Sequence, residues 1–333
     1  MPVVVDAGVS GVEALRFLIR EHTPREHTPR EHAPREHTPR EHAPRAPPAA
    51  PRSTLEAMDL ALSRSVAPGL EWRASCPSTN SDLVARAASL PDLAVLATDD
   101  QTAGRGRLDR VWSAPAGASL AVSVFVRVEP RAADPQRLGW LPLVAGVAMT
   151  RAVRGLGVAA AAVKWPNDVL VGDRKLCGVL TELTAHGVII GAGLNLTMTD
   201  EQLPVPTATS LVLEGVGPGP AGGSPAGRAP AEGGAAAGDA PLADRALAAY
   251  LRELFDLVAE WRAVSTASAL RPIVEPVVRT LGSAVRVDQP GLPPLRGVAE
   301  ALDDDGRLLV RPSGSGAEVV AVSAGDVTHL RYE

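Results

Sequence analysis

Apolar residues recur along this chain with two periods, and the order in which those periods alternate sets out an architecture. Residues 93–98 form a short unbroken apolar run and 119–128 alternate with β-branched residues, so both read as strands. Further strands are predicted at 163, 169–171, 176–183 and 187–196, with only short connections between them. Helical spacing marks 55–64, 81–89, 136–155 and 243–262. Ser78 or Thr79 stands where the second of these needs an N-cap, and Gly155 and Gly157 stop the third. Connections this short leave no room for crossover helices between parallel strands. The expected fold is therefore α+β, a mixed and mostly antiparallel sheet with helices on one face. From about 273 onward the pattern changes to short strands at 284–287, 295–301, 308–311, 319–322 and 327–330, parted by turns at Asp304-Asp305-Gly306 and Ser313-Gly-Ser-Gly316. That spacing suggests a small SH3-like β-barrel.

Two segments have no apolar period. From Arg20 to Arg45 the pentapeptide Arg-Glu-His-(Thr/Ala)-Pro repeats five times and runs on into Ala-Pro-Pro-Ala-Ala-Pro. Proline at every fifth position forbids a helix, and nothing in the repeat can build a core, so a solvated, partly polyproline-like tail is expected. One short helical stretch, 9–20, precedes it. Residues 214–241 are almost entirely Gly, Ala and Pro and read as a flexible insertion. The expected organisation is a tail over 1–54, a main α+β unit over 55–272 carrying the insertion, and the β-barrel over 273–333.

Composition narrows the function. A net charge of −5 supplies no basic field for a nucleic-acid backbone. The two cysteines, Cys76 and Cys177, lie far apart without a metal-binding spacing, and suit buried thiols in a reducing cytoplasm. No apolar run is long enough for a membrane span, and no signal-peptide pattern opens the chain, so a cytoplasmic protein is expected. Five of the seven histidines belong to the tail repeat, which leaves too few elsewhere for a histidine-based centre. Lysine is nearly absent: Lys164 and Lys175 are the only two, in a chain that otherwise uses arginine for its cations. Asn80, Asn167 and Asn195 are the only asparagines. Where such a composition keeps Lys or Asn, a compact ammonium or a neutral donor–acceptor is wanted.

These rare residues cluster in short motifs. Gln101-Thr-Ala-Gly-Arg-Gly-Arg-Leu-Asp-Arg-Val-Trp112 follows a strand, and its two arginines around a glycine can present two guanidinium forks to an anion. Alone, it is equally a solvated surface loop, and Trp112 can cover an aromatic base or simply pack beneath the loop. Lys164-Trp-Pro-Asn-Asp168 breaks a strand run at a proline, and Lys175 opens the next strand, so a hairpin can bring Asp168 and Lys175 to one cavity; a surface ion pair is the plainer alternative. Gly191-Ala-Gly-Leu-Asn195 places glycines inside an apolar strand, for a close approach or for a bulge.

Together, Ser78-Thr79-Asn80, Gly104-Arg-Gly-Arg107 with Trp112, Lys164-Trp-Pro-Asn-Asp168, Arg174-Lys-Leu-Cys-Gly178 and Gly191-Ala-Gly-Leu-Asn195 closely resemble the motifs of the biotin–protein ligase family, in its order and over roughly 70–333. The resemblance implies the class II synthetase-like biotin/lipoate ligase fold with a small C-terminal barrel. It implies activation of biotin with Mg-ATP to biotinyl-5′-AMP, then transfer to one lysine of a biotin carboxyl carrier domain of an acyl-CoA or pyruvate carboxylase. By the same resemblance, Ser78, Thr79, Asn80 and Gln101 bind the biotin ring system. Arg105, Gly106 and Arg107 form a loop closing over biotin and the adenylate. Lys175 contacts the reacting carboxylate and phosphate, with Arg107 and Asp168 as the other catalytic candidates. Trp112, Asn167, Asp168 and Asn195 lie nearer nucleotide, metal or incoming lysine, and Gly191 and Gly193 admit the ligand. No protein ligand is assigned to Mg²⁺, which is expected on the ATP phosphates. The chemistry agrees: carboxylate attack on an α-phosphate brings two anions together and needs fixed cations, and the mixed anhydride formed must be kept from water.

Some members of that family carry an N-terminal winged helix-turn-helix; the residues before 55 are too few in periodic pattern for one, so a ligase without DNA binding, monomeric or weakly dimeric, is expected. The alternatives are a lipoate–protein ligase or octanoyltransferase, and a non-catalytic biotin-sensing regulator.

Overall fold

A computed structural model describes residues 5–6, 19–21 and 60–330, apart from 108–109, 129–133, 218–239, 290, 315 and 324. The pentapeptide tail beyond Glu21 and nearly all of the 214–241 insertion lie outside the described residues. In the N-terminal segment β1 (Val5–Asp6) runs parallel to Val320 and Ala321, and β2 (Ile19–Glu21) parallel to Thr181–Leu183. Of the 9–20 stretch expected to be helical, 9–18 lie outside the described residues and 19–20 are extended, paired with 181–182.

The main unit is built on the ladder β3 (Glu71–Arg73), β4 (Val95–Thr98), β7 (Ser119–Arg127), β11 (Gly187–Asn195), β10 (Arg174–Thr184), β9 (Asp168–Val171) and β8 (Ala161–Lys164), in that spatial order. Only β3 and β4 pair parallel; the other neighbours are antiparallel. The fold is the mixed, mostly antiparallel sheet with helices that the sequence predicts. The helices α1 (Ala61–Val66), α2 (Thr79–Arg86), α3 (Pro135–Leu138), α4 (Leu141–Gly155), α5 (Leu242–Ala263) and α6 (Arg271–Val274) complete it. The helix expected over 136–155 is broken at Gly139–Trp140, where the Trp140 indole turns to donate to the Asp304 carbonyl at 2.9 Å.

Side-chain alternation along the central strands decides where a site can form. Leu120, Val122, Val124 and Val126 of β7, with Val188, Ile190, Ala192 and Leu194 of β11, face α4 and α5 and make the main core. Each of these buried Val, Leu and Ile side chains contributes roughly 1.5–3 kcal/mol. The intervening positions point to the opposite face, where Phe125 and Ile189 pack with Leu96 and with Leu83 of α2. Helices therefore lie on both faces rather than one. The second face is only partly covered, because α2 is short and the inward positions beside it are Ser123, Gly191 and Gly193.

The C-terminal sheet orders β15 (Val320–Val322), β14 (Leu308–Pro312), β13 (Leu295–Leu302), β12 (Ala284–Asp288) and β16 (Asp326–His329), all antiparallel. It is not a loosely tethered module. Val285, Val287, Leu308 and Val310 belong to the same continuous core as Trp140 and Trp165.

Both cysteines are free and buried, and burial pushes the Cys177 thiol up to about 12 and raises that of Cys76. Neither thiol is expected to react with Ellman's reagent at pH 8 in the folded protein, and both should titrate once guanidinium unfolds it. Prompt release of thionitrobenzoate from the native protein contradicts this packing.

Candidate active site

The site lies on the α2 side of the sheet. Ser78 caps α2, its hydroxyl accepting from the Ser81 amide at 3.3 Å, so the helix starts two residues earlier than its apolar period indicates. That start aims Thr79 and Asn80 at the sheet. Gln101 closes the near end: its Oε1 accepts from the Thr79 amide at 2.9 Å and lies 3.2 Å from the Thr79 hydroxyl. Ser123 Oγ, from the inward row of β7, lies 2.7 Å from Thr79 Oγ1 and 2.6 Å from Asn80 Oδ1. Asn80 Nδ2 donates to the Leu180 carbonyl at 3.1 Å and to Glu182 Oε2 at 2.9 Å.

The expected loop is in fact a small hairpin, β5 (Gly104–Arg105) against β6 (Val111–Trp112). It is laid over the sheet by its arginines. Arg105 pairs with Glu182 at 2.9 Å. Arg107 donates through Nη1 to Asn167 Oδ1 at 3.0 Å, and Asn167 is held by its own bond to the Val179 carbonyl at 2.6 Å. Arg110 reaches Asp326 of the C-terminal sheet. The Trp112 ring packs on β11, where a Cβ at Gly193 would meet it at 3.0 Å; one at Gly191 would lie 2.0 Å from Asn80 Oδ1. The glycines are therefore required for close approach, and β11 pairs in regular register through both of them.

At the far end, the two-residue turn between β9 and β10 sets Asp168 and Lys175 2.6 Å apart as an ion pair. Lys164, opposite Asp168 in the ladder, is pulled below the usual lysine range by burial. Trp165 is not a site residue. It is 1% exposed, its indole donates to the Gly306 carbonyl at 3.0 Å and its amide to Thr280 Oγ1 at 3.0 Å, so it ties the turn before Asn167 and Asp168 to the C-terminal segment.

One cavity of about 190 Å³ is lined by every expected residue except Asn195. Asn195 is buried and donates to the Thr209 carbonyl at 2.8 Å, holding the loop that follows β11. Ser123, Glu182, Arg110 and Asp326 belong to the site or its support and went unread in the sequence. The first two are polar residues on the inward row of otherwise apolar strands, a signal that alternation carries. Among the described residues the Arg107 Nε and Nη2 and the Arg105 Nε are buried donors without a partner, and burial lowers the Arg107 pKa. Buried guanidinium donors left open at a cavity wall call for an anion.

Residues 73–195 match the biotin/lipoate A/B protein ligase family, and residues 280–330 match the biotin protein ligase C-terminal domain. A biotin–[acetyl-CoA-carboxylase] ligase of Mycobacterium tuberculosis is 38% identical over 273 residues, 79% of this chain and 91% of that protein. The bifunctional ligase/repressor BirA of Escherichia coli is 42% identical over 126 residues, 36% of this chain and 38% of that protein. Among solved structures, the biotin protein ligase of Aquifex aeolicus in complex with biotin and ATP shares the fold, with a TM-score of 0.60 at 22% identity over 79% of this chain and 99% of that one. With the motif residues gathered on one wall and 38% identity sustained across nearly all of a known ligase, the chain belongs to the biotin protein ligase family.

Proposed function

We propose that the protein joins biotin to ATP, releasing pyrophosphate and forming biotinyl-5′-AMP, and then transfers the biotinyl group to a lysine of a biotin carboxyl carrier domain. The observation that carries this reading is the pair of open donors on Arg107, placed between a polar wall at Thr79 and Asn80 and an ammonium at Lys175. In the first step a carboxylate oxygen attacks the α-phosphorus and the bond to the pyrophosphate oxygen breaks. Both reactants are anions, so fixed cations at the meeting point lower the barrier. Arg107 supplies two aimed donors and Lys175 a point charge. Asp168 keeps that ammonium in place, and Asn167 does the same for Arg107. In the second step the carrier amine attacks the acyl carbon and AMP leaves, taking the bonding pair, while the amine loses a proton. No nucleophilic side chain of the enzyme is consumed.

The ring system is placed against Ser78, Thr79, Asn80 and Gln101, and the Arg105–Trp112 hairpin excludes water from the anhydride. Among the described residues no three His, Cys, Asp or Glu side chains converge on a metal site. Magnesium would ride on the ATP phosphates, where it would supply charge neutralisation. The two free buried thiols support a cytoplasmic setting.

The test is to mix protein, biotin, Mg-ATP and a purified carrier domain and weigh the carrier. A mass gain of one biotinyl group is expected with biotin, and none when lipoate replaces it. A gain with lipoate only would move the assignment to lipoate attachment, and no gain with either would remove it.

A further inference from the structure

Glu182 is the one fully buried carboxylate beside the cavity among the described residues, with 0% exposure, and it does not line the cavity itself. It sits on the inward row of β10, two residues beyond Leu180, where a charge costs several kcal/mol unless it is paired and hydrogen-bonded. Both conditions are met by groups that form the site. One is Arg105 Nη2, 2.9 and 3.1 Å from the two carboxylate oxygens; the other is Asn80 Nδ2, 2.9 Å from Oε2. We infer that Glu182 is a positioning residue for the ligase reaction: it anchors the hairpin through Arg105 and, together with the Leu180 carbonyl, fixes the donor–acceptor sense of the polar wall through Asn80. The inference rests on the function proposed above and deepens it.

The second half of this role follows from counting protons. A carboxylate paired with arginine only accepts, so Asn80 must turn its Nδ2 toward Glu182 and its Oδ1 toward Ser123. Asn80 Oδ1 only accepts, so the single Ser123 hydroxyl proton goes to it. Ser123 Oγ must then accept at its 2.7 Å contact with Thr79, and the Thr79 hydroxyl divides its one proton between Ser123 Oγ and Gln101 Oε1, 3.2 Å away. Gln101 Oε1 is left to accept from the Thr79 amide, which turns its amide nitrogen away from that contact. One buried charge, with the Leu180 carbonyl beside it, thus orients the row of neutral side chains from Asn80 to Gln101. A cyclic urea-type head group, with a carbonyl acceptor and N–H donors at fixed places, is read by such a wall only when the sense is constant. A glutamine at 182 can donate or accept. It leaves the Asn80 amide held by the Leu180 carbonyl and a neutral partner in place of a charge, and takes from Arg105 its counter-charge, while keeping volume and shape.

The experiment compares full-length wild type with Glu182→Gln in two readouts. In pyrophosphate release, the KM for biotin is expected to rise about 10–100-fold, as for a lost charged hydrogen bond, while the KM for ATP and kcat at saturating biotin stay within about threefold. Without any ligand, trypsin is expected to cut after Arg105 and Arg107 about tenfold faster in the variant, because the hairpin has lost its anchor. A biotin KM within about twofold of wild type overturns the proposal, as does an unchanged cleavage rate. Equal losses in both KM values and kcat also overturn it, since they mark a general structural defect. If wild type itself shows no biotin-dependent turnover, the proposed function fails, and the ligand-free cleavage rates still decide whether Glu182 anchors the hairpin. Should Glu182→Gln not fold, Glu182→Gln/Arg105→Gln removes both charges together and leaves neither alone. A biotin KM raised at least tenfold in that folded variant supports the inference, and a wild-type KM overturns it.

Discussion

Arg107→Ala and Lys175→Ala are each expected to slow biotin-dependent pyrophosphate release by about 10²–10³-fold, the usual loss when one preorganised charge is removed from a transition state. Neither change touches the core. The Arg107 guanidinium makes one described hydrogen bond, to Asn167, and keeps two buried donors open, so it contributes little to the resting fold and most once an anion is bound. Lys175 is half exposed at the start of β10, in an ion pair worth less than about 1 kcal/mol to stability. Melting temperatures should therefore stay within a few degrees while turnover falls. Lys175→Arg is expected to fail as well. A planar fork is larger and differently hydrated than the compact ammonium, which sits 2.6 Å from a single Asp168 oxygen, and cannot take over its place as a point charge. The two residues differ in one respect: Lys175→Ala leaves Asp168 without its cation close to the incoming phosphates, so its KM for ATP should rise more than that of Arg107→Ala. Near-normal turnover in both alanine variants would place the adenylation chemistry elsewhere.

Much of this site is legible in the sequence because three of the five rare residues, Asn80, Asn167 and Lys175, line it. Two lysines and three asparagines in a chain rich in Arg, Ala and Gly mark positions where composition has been overruled by chemistry. The ion pair between Asp168 and Lys175 follows from hairpin spacing, and the cation-bearing loop from glycines flanking Arg105. Asn195 misleads because rarity does not distinguish a ligand from a structural clamp; its amide is spent on the Thr209 carbonyl. Ser123 and Glu182 escape a motif search for a different reason. Each is a single polar residue on an apolar strand, and its meaning appears only when alternate positions of β7, β10 and β11 are assigned to one face, where Ser123, Glu182, Gly191 and Gly193 fall together. The covering of that face by α2 is a tertiary fact that no local period contains. The same holds for the contact between Arg110 and Asp326, over two hundred residues apart in the chain.

Trp165 gives the other large expected effect, and it acts through stability. The residue sits between Lys164 and Pro166 in a motif that ends on the cavity-lining Asn167 and Asp168, yet its ring is buried in the core shared with the C-terminal sheet. Trp165→Ala removes that ring and leaves the Gly306 carbonyl and the space around it unfilled, at a cost of about 3–5 kcal/mol. For a protein of this size that lowers the melting temperature by roughly 10 °C. Trp165→Phe keeps most of the apolar surface and loses only the indole N–H, so its cost should be about 1–3 kcal/mol. The loss is not confined to stability, because the backbone that carries Trp165 carries Asn167 and Asp168 two and three residues later. Those two side chains hold Arg107 and Lys175. In the phenylalanine variant, assayed well below its melting temperature, kcat is expected to fall several-fold while the KM for biotin changes little, since the ring-binding wall of Thr79, Asn80 and Gln101 lies at the opposite end of the cavity. Thermal unfolding and pyrophosphate release measured on both variants decide the matter. Trp165→Ala melting with wild type would mean that the indole does not join the two sheets, and Trp165→Phe turning over at the wild-type rate would mean that the turn keeps its place without it.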